Sequence, residues 1–297
     1  MTKTTKYLLA VFLLLSVNLW FFLSKKESSA FKKEFYFEKN DLEQVDQFSF
    51  INLEDTINIK RSEGRWIIND RYQADENFVN TLISILEKVE VSKNINNWPG
   101  SILGSVLIKT SNESIYQFQF SANPTRTKSY FIEEGVAKEV AVSGYRDQII
   151  DLFDLHSDQW RDRLMIDGSW RTIQQLDVRG IEGAKFSISF DGTFFQVNGE
   201  APQDSSEVVD YLNQFQQFQA NEMISPGRFT ALDSLSKTVP IATILVEDLK
   251  YEEKIQFQIF PSLRGQRFHL VKKSDTVLAV IDERRIKKLL TNPLDVN

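Results

Sequence analysis

The chain reads as an α+β protein. It is a tandem repeat of two strand-rich units, each a mainly antiparallel sheet with two helices, behind an N-terminal transmembrane helix. Three observations predict this. From Val45 onward, short runs alternate apolar and polar residues, the pattern of half-buried strands. The strand and helix order of the first half is then written again in the second, with Trp66 answering to Phe195 and Val79 to Val208 at an offset of 129 residues. Ahead of both copies lies a long apolar run, Tyr7 to Leu23, preceded by Lys3 and Lys6.

Composition bounds the rest. A length of 297 residues suits about two domains, and 42% hydrophobic with 26% charged residues is globular. The 23 Phe and 5 Trp can fill a sizeable core. With a net charge of −6 and scattered basic residues, no nucleic-acid surface is expected. The chain has no Cys, which removes disulfides, thiolate metal sites, a Cys nucleophile and a lipidated Cys together.

The apolar run is broken only by Ser16 and Asn18. At ~1.5 Å per residue it spans roughly 25 Å, the short end of a membrane helix. Trp20-Phe21-Phe22 beside Lys25 and Lys26 resembles an interfacial belt closing a span. A cleaved signal peptide is the alternative, with Ser28-Ser29-Ala30 as its small-residue site; a buried soluble helix is the third reading. The expected plan is a cytoplasmic tail at 1–6, an anchor at 7–23, a charged stalk at 24–44, repeat unit 1 at 45–163 and repeat unit 2 at 164–297. The body then sits on the periplasmic side of a bacterial inner membrane, held by one span.

In the first copy, Phe48/Phe50, Ile57/Ile59 and Trp66/Ile68 predict three strands, with Ser62-Glu63-Gly64 turning between the last two. Asp75 is placed to cap a helix whose buried face carries Phe78, Leu82, Ile85, Leu86 and Val89. A turn-rich stretch around Trp98-Pro99-Gly100 follows. Val106/Ile108, Tyr116/Phe118/Phe120, Tyr130/Ile132 and Val140/Val142 predict four more strands. Ser143 is expected to cap a closing helix with Tyr145, Ile149, Leu152 and Phe153 inward.

The second copy repeats this order. Leu176/Val178, Phe186/Ile188/Phe190 and Phe195/Val197 are strands, the last two joined by Asp191-Gly192. Asp204 with Glu207 forms a capping box before a helix bearing Val208, Tyr211, Leu212, Phe215 and Phe218. Ile244/Val246, Ile255/Phe257/Ile259, Phe268/Leu270 and Val277/Ala279/Ile281 follow, and Asp282 caps a last helix with Ile286, Leu289 and Leu290 inward. Here the offset has grown to 139, so about ten residues are inserted within Ala220 to Pro240.

The string Gly64-Arg65-Trp66-Ile67-Ile68-Asn69, with Tyr72, Ala74-Asp75 and the Val79-to-Leu86 helix, resembles the core signature of the bacterial domain-of-unknown-function family 4340. Trp160-Arg161-Asp162-Arg163-Leu164 resembles the short basic segment that follows the first unit there. The likeness covers roughly Val45 to Leu164; in the second copy Phe195 replaces the Trp, and Ala201-Pro202 replaces Ala-Asp. This resemblance implies a membrane-anchored extracytoplasmic protein associated with ABC-2-type exporters, including the gliding-motility class, and brings no catalytic pattern with it.

The residues themselves carry little chemistry. His156 and His269 lack a neighbouring carboxylate pattern for metal and read as ordinary surface or strand positions. No Gly-rich phosphate loop, Gly-x-Ser-x-Gly or His-Glu-x-x-His occurs. Glu133-Glu134 and Glu252-Glu253 keep open a carboxylate-pair glycan hydrolase, against solvated charge in turns. Trp66 reads as core. Trp160, Arg161 and Arg163 read either as a junction, Trp buried and Arg paired with Asp, or as a partner-docking patch. The insertion places Met223, Ile224, Phe229, Leu232 and Leu235 around Pro226-Gly227, either as a recognition loop or as cover for a sheet edge. The expected function is therefore a non-catalytic accessory or binding protein of an ABC-type export or cell-surface machine, with no cofactor and no metal. Its partners are the membrane, through the N-terminal helix, and exporter subunits or other envelope proteins. An envelope glycan hydrolase and a purely structural scaffold are the alternatives.

Overall fold

The computed structural model describes residues 34–295, apart from 54, 97, 99, 112–114, 146–147 and 182. The Tyr7–Leu23 anchor and the Ser28-Ser29-Ala30 site lie outside the described residues. Among the described residues, no helix is long and apolar enough to cross a membrane. The protein is α+β, with strand outweighing helix and its sheets antiparallel.

In chain order, β1 (Glu34–Phe35), α1 (Lys39–Leu42) and β2 (Val45–Asn52) open the fold. Next come β3 (Thr56–Ser62), β4 (Arg65–Ile68), β5 (Tyr72–Gln73) and α2 (Glu76–Leu86). Five strands follow: β6 (Val89–Asn96), β7 (Gly104–Thr110), β8 (Ile115–Ala122), β9 (Ser129–Glu133) and β10 (Val136–Val142), closed by α3 (Ile149–Phe153). The 3-10 turn Ser157–Trp160 leads into β11 (Leu164–Ile166), β12 (Ile173–Gly180), β13 (Gly183–Phe190), β14 (Phe195–Val197) and α4 (Ser205–Asn213). Then β15 (Phe218–Gln219), β16 (Glu222–Ile224) and α5 (Thr230–Leu235) precede β17 (Ala242–Asp248) and β18 (Ile255–Ile259). β19 (Phe268–Ser274), β20 (Val277–Asp282) and α6 (Glu283–Leu290) follow, and then a 3-10 turn at Pro293–Asp295.

Two compact units result, and neither is contiguous. Among the described residues, 34–45 with Leu82–Phe153 form one; Asp46–Thr81 with 154–295 form the other. The division does not run at 163/164, so the sequence copies and the compact units are different partitions of the chain.

In the first unit the strands run β1-β6-β10-β9-β8-β7. Its core is aromatic: Phe118 stacks on Phe131 at 4.2 Å, and Phe153 of α3 packs on both. The sequence assigns 24–44 to a weakly structured stalk. Its described part, from Glu34, is folded instead, with Phe37 and Leu42 buried and β1 paired with β6. A two-residue strand and a one-turn helix are too short to leave a periodic signal. Ser143 does not cap α3, which starts six residues later at Ile149; its hydroxyl donates to Glu90 Oε1. Tyr145 is consequently exposed, and Ile150 joins Ile149 and Phe153 inside.

In the second unit β2, β3, β4 and β5 pair antiparallel in sequence order. An eight-stranded sheet runs β14-β13-β12-β17-β18-β19-β20-β16, and β11 pairs with β15. One face of this sheet buries Val178, Ile188, Ile244, Phe257, Val271 and Ala279 against Val208 and Leu212 of α4 and Ile286 and Leu289 of α6. The alternate positions Leu270 and Leu278 fall on the opposite face, with Ile224 and Phe260. Phe190 and Phe268, expected inside, are 41% and 39% exposed because each lies at a strand end.

Strand order recurs between the copies. β6-β10-β9-β8-β7 is matched by β16-β20-β19-β18-β17, and β2-β3-β4 by β12-β13-β14. The detail is finer still around Trp66 and Phe195, both 3% exposed. Asn69 stands at φ 49° and accepts the Asn58 amide at 2.8 Å; Asn198 stands at φ 55° and accepts the Ser187 amide at 2.9 Å. Asn tolerates this left-handed backbone better than other side chains and supplies the oxygen as well. The sequence reading sets Pro202 against Asp75. The structure corrects this: Asp75 accepts from Phe78 N, and Asp204, 129 residues on, accepts from Ser206 N. Both helices start on an aspartate.

Candidate functional site

The inserted segment is the part of the second copy with no counterpart in the first. Ser225-Pro226-Gly227-Arg228 closes a turn, the Arg228 amide donating to Ser225 O, with Gly227 at φ 90° where a type II turn needs glycine. The Gly227 amide donates to both oxygens of Asp233, which ties the turn to α5.

A buried aspartate clamps this turn. Asp158 is 1% exposed. Its Oδ1 accepts from the Ser225 hydroxyl at 2.6 Å and Arg161 Nη1 at 3.2 Å; its Oδ2 accepts from the Ser225 amide at 2.9 Å and Arg228 Nη1 at 3.1 Å. Arg228 also bonds Glu222 Oε1 at 3.1 Å. The Arg161 guanidinium lies 3.7 Å from the Tyr72 ring centroid, so its planar face is used as well as its edge. The junction segment and the insertion, separate candidates in the sequence, are thus joined by one carboxylate inside one compact unit.

The fate of each candidate residue follows. Trp160 is fully buried, its ring 5.4 Å from Phe50 and 4.7 Å from Phe78, while its carbonyl accepts the Asp75 amide. Arg161 is 2% exposed and Met223 4%. These three cannot serve as a docking surface, because each is spent on the interior. Ile224, expected exposed in the loop, is also buried, since it belongs to β16 and not to a loop. Arg163 is exposed, Phe229 is 41% exposed and Leu232 half-buried.

Leu232 and Leu235 rest on the Ile224, Phe260, Leu270, Leu278 face, so α5 does cover the sheet. The cover is incomplete. A cleft of about 500 Å³ remains under it, lined by Phe229, Leu232 and Leu235 of the insertion and by Ile224, Leu263, Phe268, Leu270 and Val280. Its polar lining is Asn221, Glu222 and Gln266, with Glu222 engaged by Arg228. Such a volume lies within the ~300–1,000 Å³ range of ligand pockets.

Ser157 Oγ lies 3.4 Å from His156 Nδ1, but that nitrogen accepts the Asp158 amide, and the ring serves as a turn cap. Burial raises the Asp55 carboxyl, but bonds from Ser157 and the nearby His156 outweigh this and hold it below its ordinary value. His269 donates from Nδ1 to Phe260 O. Among the described residues no cluster of three metal-ligating side chains occurs. Glu133 accepts from Tyr36 at 2.6 Å and pairs with Lys138, while Glu134 and the Glu252-Glu253 pair lie in turns.

Sequence reasoning found the insertion but not Asp158, Ser225 or Arg228, nor the cleft lining at Leu263 and Phe268. Asp158 and Ser225 are 67 residues apart, and no spacing rule links them. No family model, curated protein or solved structure matches the chain.

Proposed function

We propose that the protein is a non-catalytic, membrane-anchored binding protein of an ABC-type export or cell-surface machine. Its body is a tandem duplication of one α+β unit, carried on the periplasmic side of the inner membrane by the Tyr7–Leu23 helix. The observation that carries this reading is the clamped insertion. The second copy adds a turn and helix, fixes them through Asp158, and leaves an apolar cleft beneath them. Copies that share strand order and the Asn69/Asn198 turn differ here, and a difference confined to one loop is where a duplicated scaffold acquires recognition. The apolar N-terminus and the resemblance of Gly64–Leu86 to family 4340 supply the membrane and exporter parts of the reading.

Crosslinking of the full chain in native membranes, followed by mass spectrometry, tests it. Crosslinks from Arg163 or the 225–238 segment to an ABC permease or another envelope protein are expected. Recovery of no envelope protein would overturn the reading.

A further inference from the structure

We propose that the second copy takes an extended strand of a partner protein along its open edge at 202–204, in the way the first copy takes its own linker. This deepens the binding reading above, and rests on it, by naming the form of the partner: a strand with an aromatic side chain at its contact.

The first copy shows how such an edge is filled. Its β5 ends at Gln73, and the linker runs antiparallel beside it, with Ala74 opposite Arg161. Two main-chain bonds hold the linker: the Asp75 amide donates to Trp160 O at 2.8 Å, and the Asp162 amide donates to Gln73 O at 2.9 Å. At the offset of 129 residues, Pro202 stands for Gln73, Gln203 for Ala74 and Asp204 for Asp75. A bridge between Val197 and Glu200 keeps this segment beside β14, and Asp204 holds an extended backbone at φ −117° and ψ 111°. Among the described residues, neither the Asp204 amide nor the Pro202 carbonyl has a hydrogen-bond partner, and Gln203 is exposed where Ala74 is buried. Proline costs this edge nothing, because the linker uses only the carbonyl at that position. An open donor and an open acceptor two residues apart are what strand addition pairs with.

Side chains set the rest of the fit. In the first copy Trp160 turns its ring to Phe78, 4.7 Å away, and Arg161 lays its guanidinium on Tyr72. Ala201 replaces Tyr72, so no ring awaits an arginine here. Glu207 replaces Phe78 and lines a hollow of about 780 Å³, shared with Asp210 and Tyr211 of α4 and with Lys287 and Lys288 of α6. A strand laid down like the linker turns the side chain in Trp160's place toward Glu207 and this hollow. Both signs of charge stand on its walls, so a full charge of either sign gains little there. An aromatic ring with one polar group fills the space and finds a partner. A second copy is the weaker occupant, because matching edges would set Gln203 against Gln203 and bring two acidic stretches, 200–207, together.

The test adds a synthetic peptide with the sequence of residues 159–164, blocked at both ends, to the full chain in neutral detergent and follows hydrogen exchange by mass spectrometry. Exchange over 200–206 is expected to slow by about tenfold at saturating peptide, with 72–76 unchanged. Two N-methylated peptides fix the register. Methylation at the Asp162 nitrogen removes the donor to Pro202 O and should weaken binding about tenfold, the scale of one main-chain hydrogen bond. Methylation at the Arg161 nitrogen, which points away from the edge, should leave binding within about twofold. Trp160→Ala in the peptide should weaken binding about tenfold, as loss of an aromatic anchor does. The protein is the same in every arm, so folding is not at issue. No slowing over 200–206, equal binding of the two methylated peptides, or indifference to the tryptophan would overturn the proposal. Slowing that grows with protein concentration in the absence of peptide would overturn it too, by giving the edge to a second copy. If envelope crosslinks appear while 200–206 stays open, only this inference fails; if the peptide binds in register and no envelope partner is crosslinked, the exporter reading fails instead.

Discussion

Replacing Asp158 with asparagine should cost about 3 kcal/mol, and the figure follows from the four bonds the carboxylate accepts. Asparagine keeps one acceptor oxygen, so bonds on one side survive. On the other side its amide group meets donors, either Ser225 N and Arg228 Nη1 or the Ser225 hydroxyl and Arg161 Nη1. Arg161, 2% exposed, then loses its counter-charge. Breaking a buried pair by removing one partner typically costs ~3–5 kcal/mol. The lower end applies because Arg161 keeps the Tyr72 ring, and because Arg228, with 23% of its side chain exposed, keeps Glu222 and some solvent. Arg228→Met removes two charge-assisted bonds, to Asp158 and to the partly exposed Glu222, and should cost about 1–2 kcal/mol once solvent screening at Glu222 is allowed for. Since Arg228 acts in part through the Asp158 carboxylate, the double variant should be milder than the sum by about 1–2 kcal/mol. Urea unfolding of the full chain gives the three free energies, and hydrogen exchange at 225–235 shows whether the turn opens first. An Asp158→Asn cost below about 1 kcal/mol, or strict additivity, would refute the clamp.

Four other outcomes follow from the same structure. Trp160→Ala should destabilise by about 3–5 kcal/mol, since a fully buried ring is removed from between Phe50 and Phe78. Trp160→Phe should cost much less in the same unfolding assay, because the indole N–H has no partner among the described residues and its loss leaves nothing unpaired. Asn69→Ala and Asn198→Ala should each cost about 1–2 kcal/mol, from one lost amide bond and a left-handed backbone; unequal costs in urea melts would argue against equivalent roles. Acid should weaken the fold in a defined window. The Ser206 hydroxyl and amide hold the Asp204 carboxyl below its ordinary 3.8, and Lys250 with the Gln217 amide does the same for Asp167. Depressed carboxylates stabilise fully above the unfolded value and lose that contribution as pH falls through the folded one. Denaturation midpoints should therefore be flat from neutrality to about pH 5 and fall below about pH 4, and Asp167→Asn should flatten that fall.

How far the sequence could be read depended on the range of each signal. Alternation placed the strands carrying Phe48/Phe50, Ile244/Val246 and Ile255/Phe257/Ile259 correctly, because a strand facing a core on one side writes its period into a few adjacent residues. Asp75 and Asp204 were equally visible as caps, each acting within three residues of itself. Loss of signal began where short elements rely on neighbours: β1 and α1 are ordered by β6 and by the ring packing of Phe37, not by any pattern of their own. It was complete at Asp158, whose partners Ser225 and Arg228 come from an insertion with no counterpart in the first copy.

On the proposed duplication, that contrast separates what the two segments share from what the second adds. Where the copies agree, the shared features are local and structural: an asparagine in a left-handed turn, an aspartate at a helix start, a valine at 0% exposure in each helix. None requires a partner, so each can be copied with its own segment. The Asp158 clamp is of another kind, since it binds the linker between copies to an insertion found in only one of them. A buried carboxylate with four donors holds the Ser225–Arg228 turn, and with it the start of α5, in one place. Relaxing it through Arg228→Met should therefore loosen α5 before it unfolds the sheet. Hydrogen exchange across 225–235 should rise in that variant at temperatures well below its unfolding midpoint. Exchange that rises only together with global unfolding would make α5 a part of the core.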